Sequence, residues 1–265
     1  MKPRIAIPAP TSTNAAYNQR SWPQYASAIE RSGGEPVEVP LLASPTEIAN
    51  LINTCQGVLL PGSPADVNPH KYGQEPIPEC APTDAPRENV DELLLQDAHN
   101  LYKPIFAICF GVQMLNVWRG GTLVQDLSIL PVNHSAGKSV AIAHTAAIAP
   151  ESLLGGLLTT EEAPSQDNFL RLPMNSSHHQ AIGIPGDGLR VSARCTQDAV
   201  IEAVESIKDI GSGHATEAST AHFVLGVQWH PERSYDISPA SRALFDRFIA
   251  EATAWKPRPV HTSVA

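Results

Sequence analysis

No stretch of this chain is apolar for long enough to cross a bilayer, no cluster of Lys and Arg interrupts it, and no CxxC pair occurs. The first absence argues against insertion in a membrane. The second, with 18 Lys and Arg against 27 Asp and Glu and a net charge of −9, argues against nucleic acid or an anionic membrane surface as partner. Residues 1–14 hold only a short apolar segment and lack the apolar core of a signal peptide, so a cytoplasmic protein is expected. In that compartment the four scattered cysteines, Cys55, Cys80, Cys109 and Cys195, read as reduced thiols. Internal repeats and composition shifts that would mark a linker are missing too. What is plentiful is proline, 24 in 265 residues, which suits a loop-rich enzyme better than a helical bundle. A single domain over residues 1–255 is expected, with a poorly ordered tail at 256–265.

The chain is organised around residues 104–126, PIFAICFGVQMLNVWRGGTLVQD. Residues 104–108 read as a short buried strand and residues 110–119 as a helix, with Val112, Leu115 and Trp118 at helical spacing and Gly120-Gly121 as its stop. Cys109 sits between them. A strand feeding a helix through one reactive residue is a nucleophile elbow, which lifts the side chain toward a helix N-terminus that favours negative charge. The thiolate is the reactive form of cysteine, so this placement suits catalysis better than burial. Gly111, early in the helix, implies close backbone approach.

Upstream, residues 4–7, 37–40 and 57–60 read as strands, residues 22–31 as a helix, and Ser44-Pro45-Thr46-Glu47 as a capped helix start. Residues 66–86 form a long Pro- and Gly-rich loop before a helix over 87–101. Alternating strands and helices predict an α/β fold, a mostly parallel sheet with helices on both faces and its ligand site outside the carboxyl ends of the strands. The second half changes style, with short β pieces at 139–146, 169–172, 189–193, 199–204 and 223–228, an exposed turn within 206–220, and a last helix over 239–255. They suggest an added small antiparallel β portion.

A cysteine that attacks an amide needs a base, a group to orient the base, and donors for the oxyanion. His230, in GVQWHPE, stands at another strand end, and Pro231 biases it toward an extended conformation. Glu232, two residues on, then shares its face and can hold the imidazole. The backbone N–H groups of Phe110 and of Gly62, in PGSP after the third strand, are the candidate oxyanion donors. Asn175-Ser176-Ser177-His178-His179-Gln180 reads as a substrate-contacting loop or a plain surface turn, with Ser176, Ser177 and His178 as candidate contacts. Adjacent histidines on an extended chain point oppositely, and no second closely spaced ligand pair is present. No metal and no cofactor are expected.

With these residues in view, the sequence resembles the class I glutamine-amidotransferase-like superfamily, in its γ-glutamyl-γ-aminobutyrate hydrolase (peptidase C26) branch. The resemblance rests on LPGSPADVNPHKYG, PIFAICFGVQMLNVWRGGTLVQD, NSSHHQ and GVQWHPE, in that order. It implies a flavodoxin-like three-layer sandwich and a triad of Cys109 as nucleophile, His230 as base then acid, and Glu232 as orienter. It also implies oxyanion donors at Gly62 and Phe110, and contact of Gln113 with the glutamyl end of the substrate. The implied reaction is hydrolysis of a γ-glutamyl amide through a thioester, as in bacterial putrescine breakdown. The expected partner is that small molecule alone, or at most a second copy of the chain in a homodimer. Two departures stand out: Ala107 where many relatives have glycine, and Phe110 where arginine is frequent. An apolar Phe110 side chain in the leaving-group pocket would disfavour a carboxylate there. Two other readings share these residues, an ammonia-donating glutaminase subunit and a non-catalytic binding protein on the same fold.

Overall fold

The computed structural model describes residues 1–207 and 222–257. Most of the 206–220 turn and of the 256–265 tail therefore lies outside the described residues. Strands β1 (Arg4–Pro8), β2 (Glu35–Val39), β3 (Gly57–Leu60) and β4 (Ile105–Ile108) alternate with helices α1 (Ala15–Arg31), α2 (Pro45–Ile52) and α3 (Ala85–Leu101). Helix α4 (Phe110–Trp118) leads to β5 (Leu123–Val124), β6 (His144–Ile148), β7 (Ser165–Gln166), β8 (Phe169–Met174) and β9 (Ala181–Ile182). The chain closes with β10 (Leu189–Cys195), β11 (Ile201–Ser206), β12 (Val224–Val227) and α5 (Pro239–Ala254).

One sheet carries ten strands in the order β2-β1-β3-β4-β12-β11-β10-β6-β8-β7. The first five run parallel, and from β12 onward every pairing is antiparallel. The separate strands β5 and β9 make a two-stranded antiparallel ribbon. Alternation along each strand divides the core into two layers. Ala6, Val58, Leu60, Ile105 and Ala107 point to the side of α2, α3 and α4. Ile5, Ile7, Leu59, Phe106 and Ile108 point to the side of α1 and α5. This is the expected α/β sandwich, and both faces of its parallel half are covered, which is why those strands read as unbroken apolar runs. Among the described residues no helix is long and apolar enough to cross a membrane.

Three local differences from the sequence reading have physical causes. Helix α1 starts at Ala15, because Asn14 caps it through a bond from Tyr17 N–H. Its first turns are largely polar or exposed, so apolar periodicity appears only further on, and Pro23 lies inside it. Helix α3 starts at Ala85, capped by Asp84, with Pro86 in its first turn. The long 66–86 loop is pinned rather than loose. It holds a 3-10 turn at Pro69–Tyr72, and it is tied by bonds from Ala81 N–H to Asp66 (2.7 Å) and from Asn68 N–H to Glu88 (2.7 Å).

Candidate active site

The carboxyl ends of β3, β4 and β12 meet at one point. Cys109 leaves β4 with φ 53° and ψ −111°, a left-handed conformation that a side chain adopts only under strain. Its N–H donates to Val227 O (2.8 Å), which anchors the elbow to β12. Helix α4 can start this close to β3 because Gly111 has no side chain: a Cβ there would collide with Leu60 O. Gly226 serves the same purpose on β12, where a Cβ would strike Val112. The N–H of Phe110, in the first turn of α4, has no intrahelical acceptor.

His230 follows β12 and is buried, its Nδ1 lying 2.7 Å from Glu232 Oε1. The Cys109 thiol stands beside the imidazole, both of them next to Gly62. Burial opposes the imidazolium, but Glu232 and then Cys109 outweigh it, so the pKa of His230 is raised. Burial likewise opposes the Glu232 carboxylate, and His230 overcomes it to hold that pKa below the usual range. An imidazole held between a carboxylate and a thiol at a strained elbow can take a proton from sulfur and return it to a leaving group.

Three residues outside the predicted set shape this centre. Asn175 grips the backbone of His230 on both sides: its Oδ1 accepts from His230 N–H (3.0 Å) and its Nδ2 donates to His230 O (2.9 Å). Arg233 Nη2 lies 3.1 Å from His230 Nε2, a bond only the neutral imidazole can accept. Tyr25, fully buried, accepts from Gly62 N–H at 3.1 Å. Sequence spacing could have singled out Asn175, at the head of the NSSHHQ segment, and Arg233, next to HPE. Tyr25 gives no such signal from within α1.

The predicted residues part company here. Gly62 does reach the centre, but its N–H is held by Tyr25, so an oxyanion would have to displace that hydroxyl. Gln113, Ser177 and His178 line a pocket of about 180 Å³ beside Cys109. Gln113 Nε2 is already engaged with Gln180 O (3.0 Å). Ser176 is a correction: it is fully buried and donates to His134 O (2.7 Å), so it braces a loop and does not face the pocket. His178 borders the pocket while its Nδ1 bonds Gln180 O (2.9 Å), which turns Nε2 inward. Phe110 also departs from expectation. It borders the pocket beside Cys109, but it is only 1% exposed and its ring lies 4.9 Å from the Arg87 guanidinium. A separate hollow of about 460 Å³ is lined by Arg233, Lys138 and Arg31 together with Glu232 and Asp236. Arg31 is paired with Asp236 (2.6 Å), whereas burial and the charges of Arg233 and Arg20 lower the pKa of Lys138.

The site makes a sharp demand on Gly62. A methyl added there would lie 2.8 Å from His230 Cε1, 3.1 Å from the Tyr25 hydroxyl and 3.5 Å from Cys109 Cβ. Gly62→Ala should therefore displace the imidazole and lower kcat by about 100-fold, the usual effect of misplacing a reacting group by an ångström. Steady-state kinetics check this; a variant within twofold of wild type would mean that the three groups do not converge on Gly62.

A family model described as peptidase C26 matches residues 5–232. A protein named γ-glutamyl-γ-aminobutyrate hydrolase from Shigella flexneri is 34% identical over 238 residues, covering 88% of this chain and 85% of that one. Protein NtpR of Enterococcus hirae is 31% identical over 233 residues, covering 86% of this chain and 87% of the relative. Among solved structures, the glutaminase domain of Trypanosoma brucei CTPS superposes with a TM-score of 0.59 over 97% of this chain and 96% of that one. At 16% identity that likeness concerns the fold alone.

Proposed function

The chain belongs to the peptidase C26 family, and from that premise we propose that it hydrolyses a γ-glutamyl amide whose amine portion carries a carboxylate. The observation that carries the reaction type is the Glu232–His230 contact of 2.7 Å beside a strained Cys109. Once Arg233 Nη2 leaves Nε2, His230 takes the thiol proton there and the thiolate attacks the γ-carbonyl carbon. The oxyanion is received by Phe110 N–H, and by Gly62 N–H once Tyr25 releases it. The C–N bond then breaks, His230 gives its proton to the departing amine, and a γ-glutamyl thioester remains on Cys109. Water adds to the thioester as His230 takes its proton, and glutamate leaves as the thiol is restored.

The leaving-group preference rests on charge. This protein is acidic overall, yet the hollow bordered by Glu232 also presents Lys138 and Arg233, the latter 3.5 Å from Glu232 and bonded to His230. A carboxylate reaching that hollow would meet the Lys138 ammonium, and a free ammonium would be repelled.

The reading is tested by glutamate release from γ-glutamyl-γ-aminobutyrate, γ-glutamyl-putrescine, a γ-glutamyl dipeptide and glutamine. The two carboxylate-bearing amides should turn over fastest. Silence on all of them, or turnover of glutamine alone, would overturn the proposal, the latter in favour of an ammonia-donating glutaminase. Lys138→Gln, which touches none of the triad, should raise KM for γ-glutamyl-γ-aminobutyrate by up to about fivefold, as befits an exposed charge. It should leave KM for γ-glutamyl-putrescine unchanged or lower. Equal effects on both amides would remove Lys138 from substrate selection.

A further inference from the structure

Behind the Cys109 pocket lies a second group of ionisable side chains that the proposed reaction does not use. His134, from the loop before β6, His144, from β6, and His178, from the loop before β9, surround Glu202 on β11. All four are more than nine-tenths buried. His144 Nε2 lies 2.8 Å from Glu202 Oε1, His134 Nδ1 lies 3.4 Å from the same oxygen, and His178 Nε2 lies 3.9 Å from Glu202 Oε2. The rings crowd together, with centroids 4.7 Å apart for His134 and His144 and 5.0 Å apart for His134 and His178.

Hydrogen bonds alone leave this group incomplete. His178 Nδ1 faces Gln180 O at 2.9 Å and so carries the ring proton in the neutral imidazole, which leaves Nε2 as a bare lone pair. That lone pair and Glu202 Oε2 face each other, and neither has a hydrogen-bond partner among the described residues. His134 Nδ1 is in the same position. Buried acceptors aimed at one another are costly unless a cation lies between them.

We propose that His134 Nδ1, His144 Nε2 and Glu202 bind a divalent transition-metal ion, with Zn²⁺ the best match. Two imidazoles and one carboxylate form a donor set that zinc takes in tetrahedral geometry, with water in the fourth position. Zinc–nitrogen bonds of about 2.0 Å place neighbouring ligand atoms roughly 3.3 Å apart. Glu202 Oε1 lies 2.8 Å from His144 Nε2 and 3.4 Å from His134 Nδ1, close to that value, while His178 Nε2, 3.9 Å from the other carboxylate oxygen, stands outside the group. A supporting contact is also in place: His134 Nε2 lies 3.0 Å from Asp198 Oδ2. Such outer contacts fix the ring orientation of metal-bound histidines. A hollow of about 290 Å³, bordered by His134 and His178, gives access.

With both imidazoles and Glu202 buried, the ion would hold structure. It would fasten β6 and β11 to the loop carrying Lys138.

The test uses Cys109→Ala, so that the active-site thiol cannot capture metal. The protein is stripped with a chelator, dialysed, and titrated with ZnCl₂ and separately with CoCl₂. One equivalent of Zn²⁺ should bind per chain and raise the melting temperature. Co²⁺ should give the intense visible absorption of a four-coordinate ion without a thiolate charge-transfer band. His144→Gln and His134→Gln should each weaken Zn²⁺ binding by at least ~100-fold, and Cys195→Ala should leave it within about threefold. Absence of stoichiometric binding in the Cys109→Ala protein overturns the proposal. So does binding indifferent to both Gln variants, or binding lost only in Cys195→Ala. Should the Gln variants not fold, the Co²⁺ spectrum of Cys109→Ala decides: a six-coordinate or thiolate-bound spectrum refutes the site.

Discussion

Replacing Cys109 by alanine should lower turnover by at least ~10⁴-fold while the protein stays folded, because no other group supplies the nucleophile and the triad acts as a unit. The elbow adds a test that a merely buried cysteine would not pass. At φ 53° and ψ −111° the Cβ of residue 109 sits in a region costing about 1–3 kcal/mol for any residue but glycine. Cys109→Ala keeps that strain, and Cys109→Gly releases it. Glycine also makes the unfolded chain more flexible, which takes back roughly 0.5–1 kcal/mol. Of the two inactive variants, Cys109→Gly should thus be the more stable, by about 1 kcal/mol. Glutamate release and thermal melts on the pair measure both effects. Retained activity in Cys109→Ala removes Cys109 as nucleophile, and a Gly variant less stable than Ala removes the strained elbow.

The elbow and the His-Pro-Glu turn were legible because their information is local. A covered parallel strand has to be an apolar run, a nucleophile at its end has to precede a helix, and proline extends the residue before it. The same logic made the capping box at Ser44 and Glu47 readable, and the structure shows both of its bonds. What escaped depends on residues far apart in the chain. Asn175 and His230 are separated by 55 positions, and nothing near Asn175 announces that its amide closes on another backbone. Ser176 read as a pocket residue because small polar side chains resemble a binding loop, whereas its hydroxyl is spent on His134 O. The pattern also argued against a metal on sound grounds, since His178 and His179 do part. His179 turns to Asp66 (2.9 Å), and His178 turns inward to partners supplied by other strands. Such a cluster has no spacing signature, because the sheet assembles it.

Arg87 was also invisible as a structural residue, being a charged side chain in the first turn of a helix, and its removal should have the largest effect on stability. It is fully buried, with Nε donating to Asp91 Oδ1 (2.8 Å), Nη1 to Pro10 O (2.7 Å) and Nη2 to Pro61 O (2.6 Å). One guanidinium thus ties together the segments after β1 and β3, next to Gly62, and covers the Phe110 ring. Arg87→Met should cost about 3–5 kcal/mol, because it leaves a buried carboxylate uncompensated as well as two unbonded carbonyls. In a chain of this size that is a fall in Tm of about 10 °C or more. The loss should depend on pH in a definite direction. Burial already raises the Asp91 pKa to about 6 despite Arg87, so ionised Asp91 is a burden on the fold above that pH. Without Arg87 its pKa rises further, and the carboxyl is neutral in weak acid. The stability gap between Arg87→Met and wild type should therefore narrow as the pH is lowered from 7 to 5. Arg87→Met/Asp91→Leu should recover part of the loss at pH 7 and abolish that narrowing, while the carbonyls of Pro10 and Pro61 stay unbonded. Chemical denaturation of the three proteins at both pH values separates these contributions. A gap that widens toward pH 5 would show that Asp91 is not the charge that Arg87 compensates.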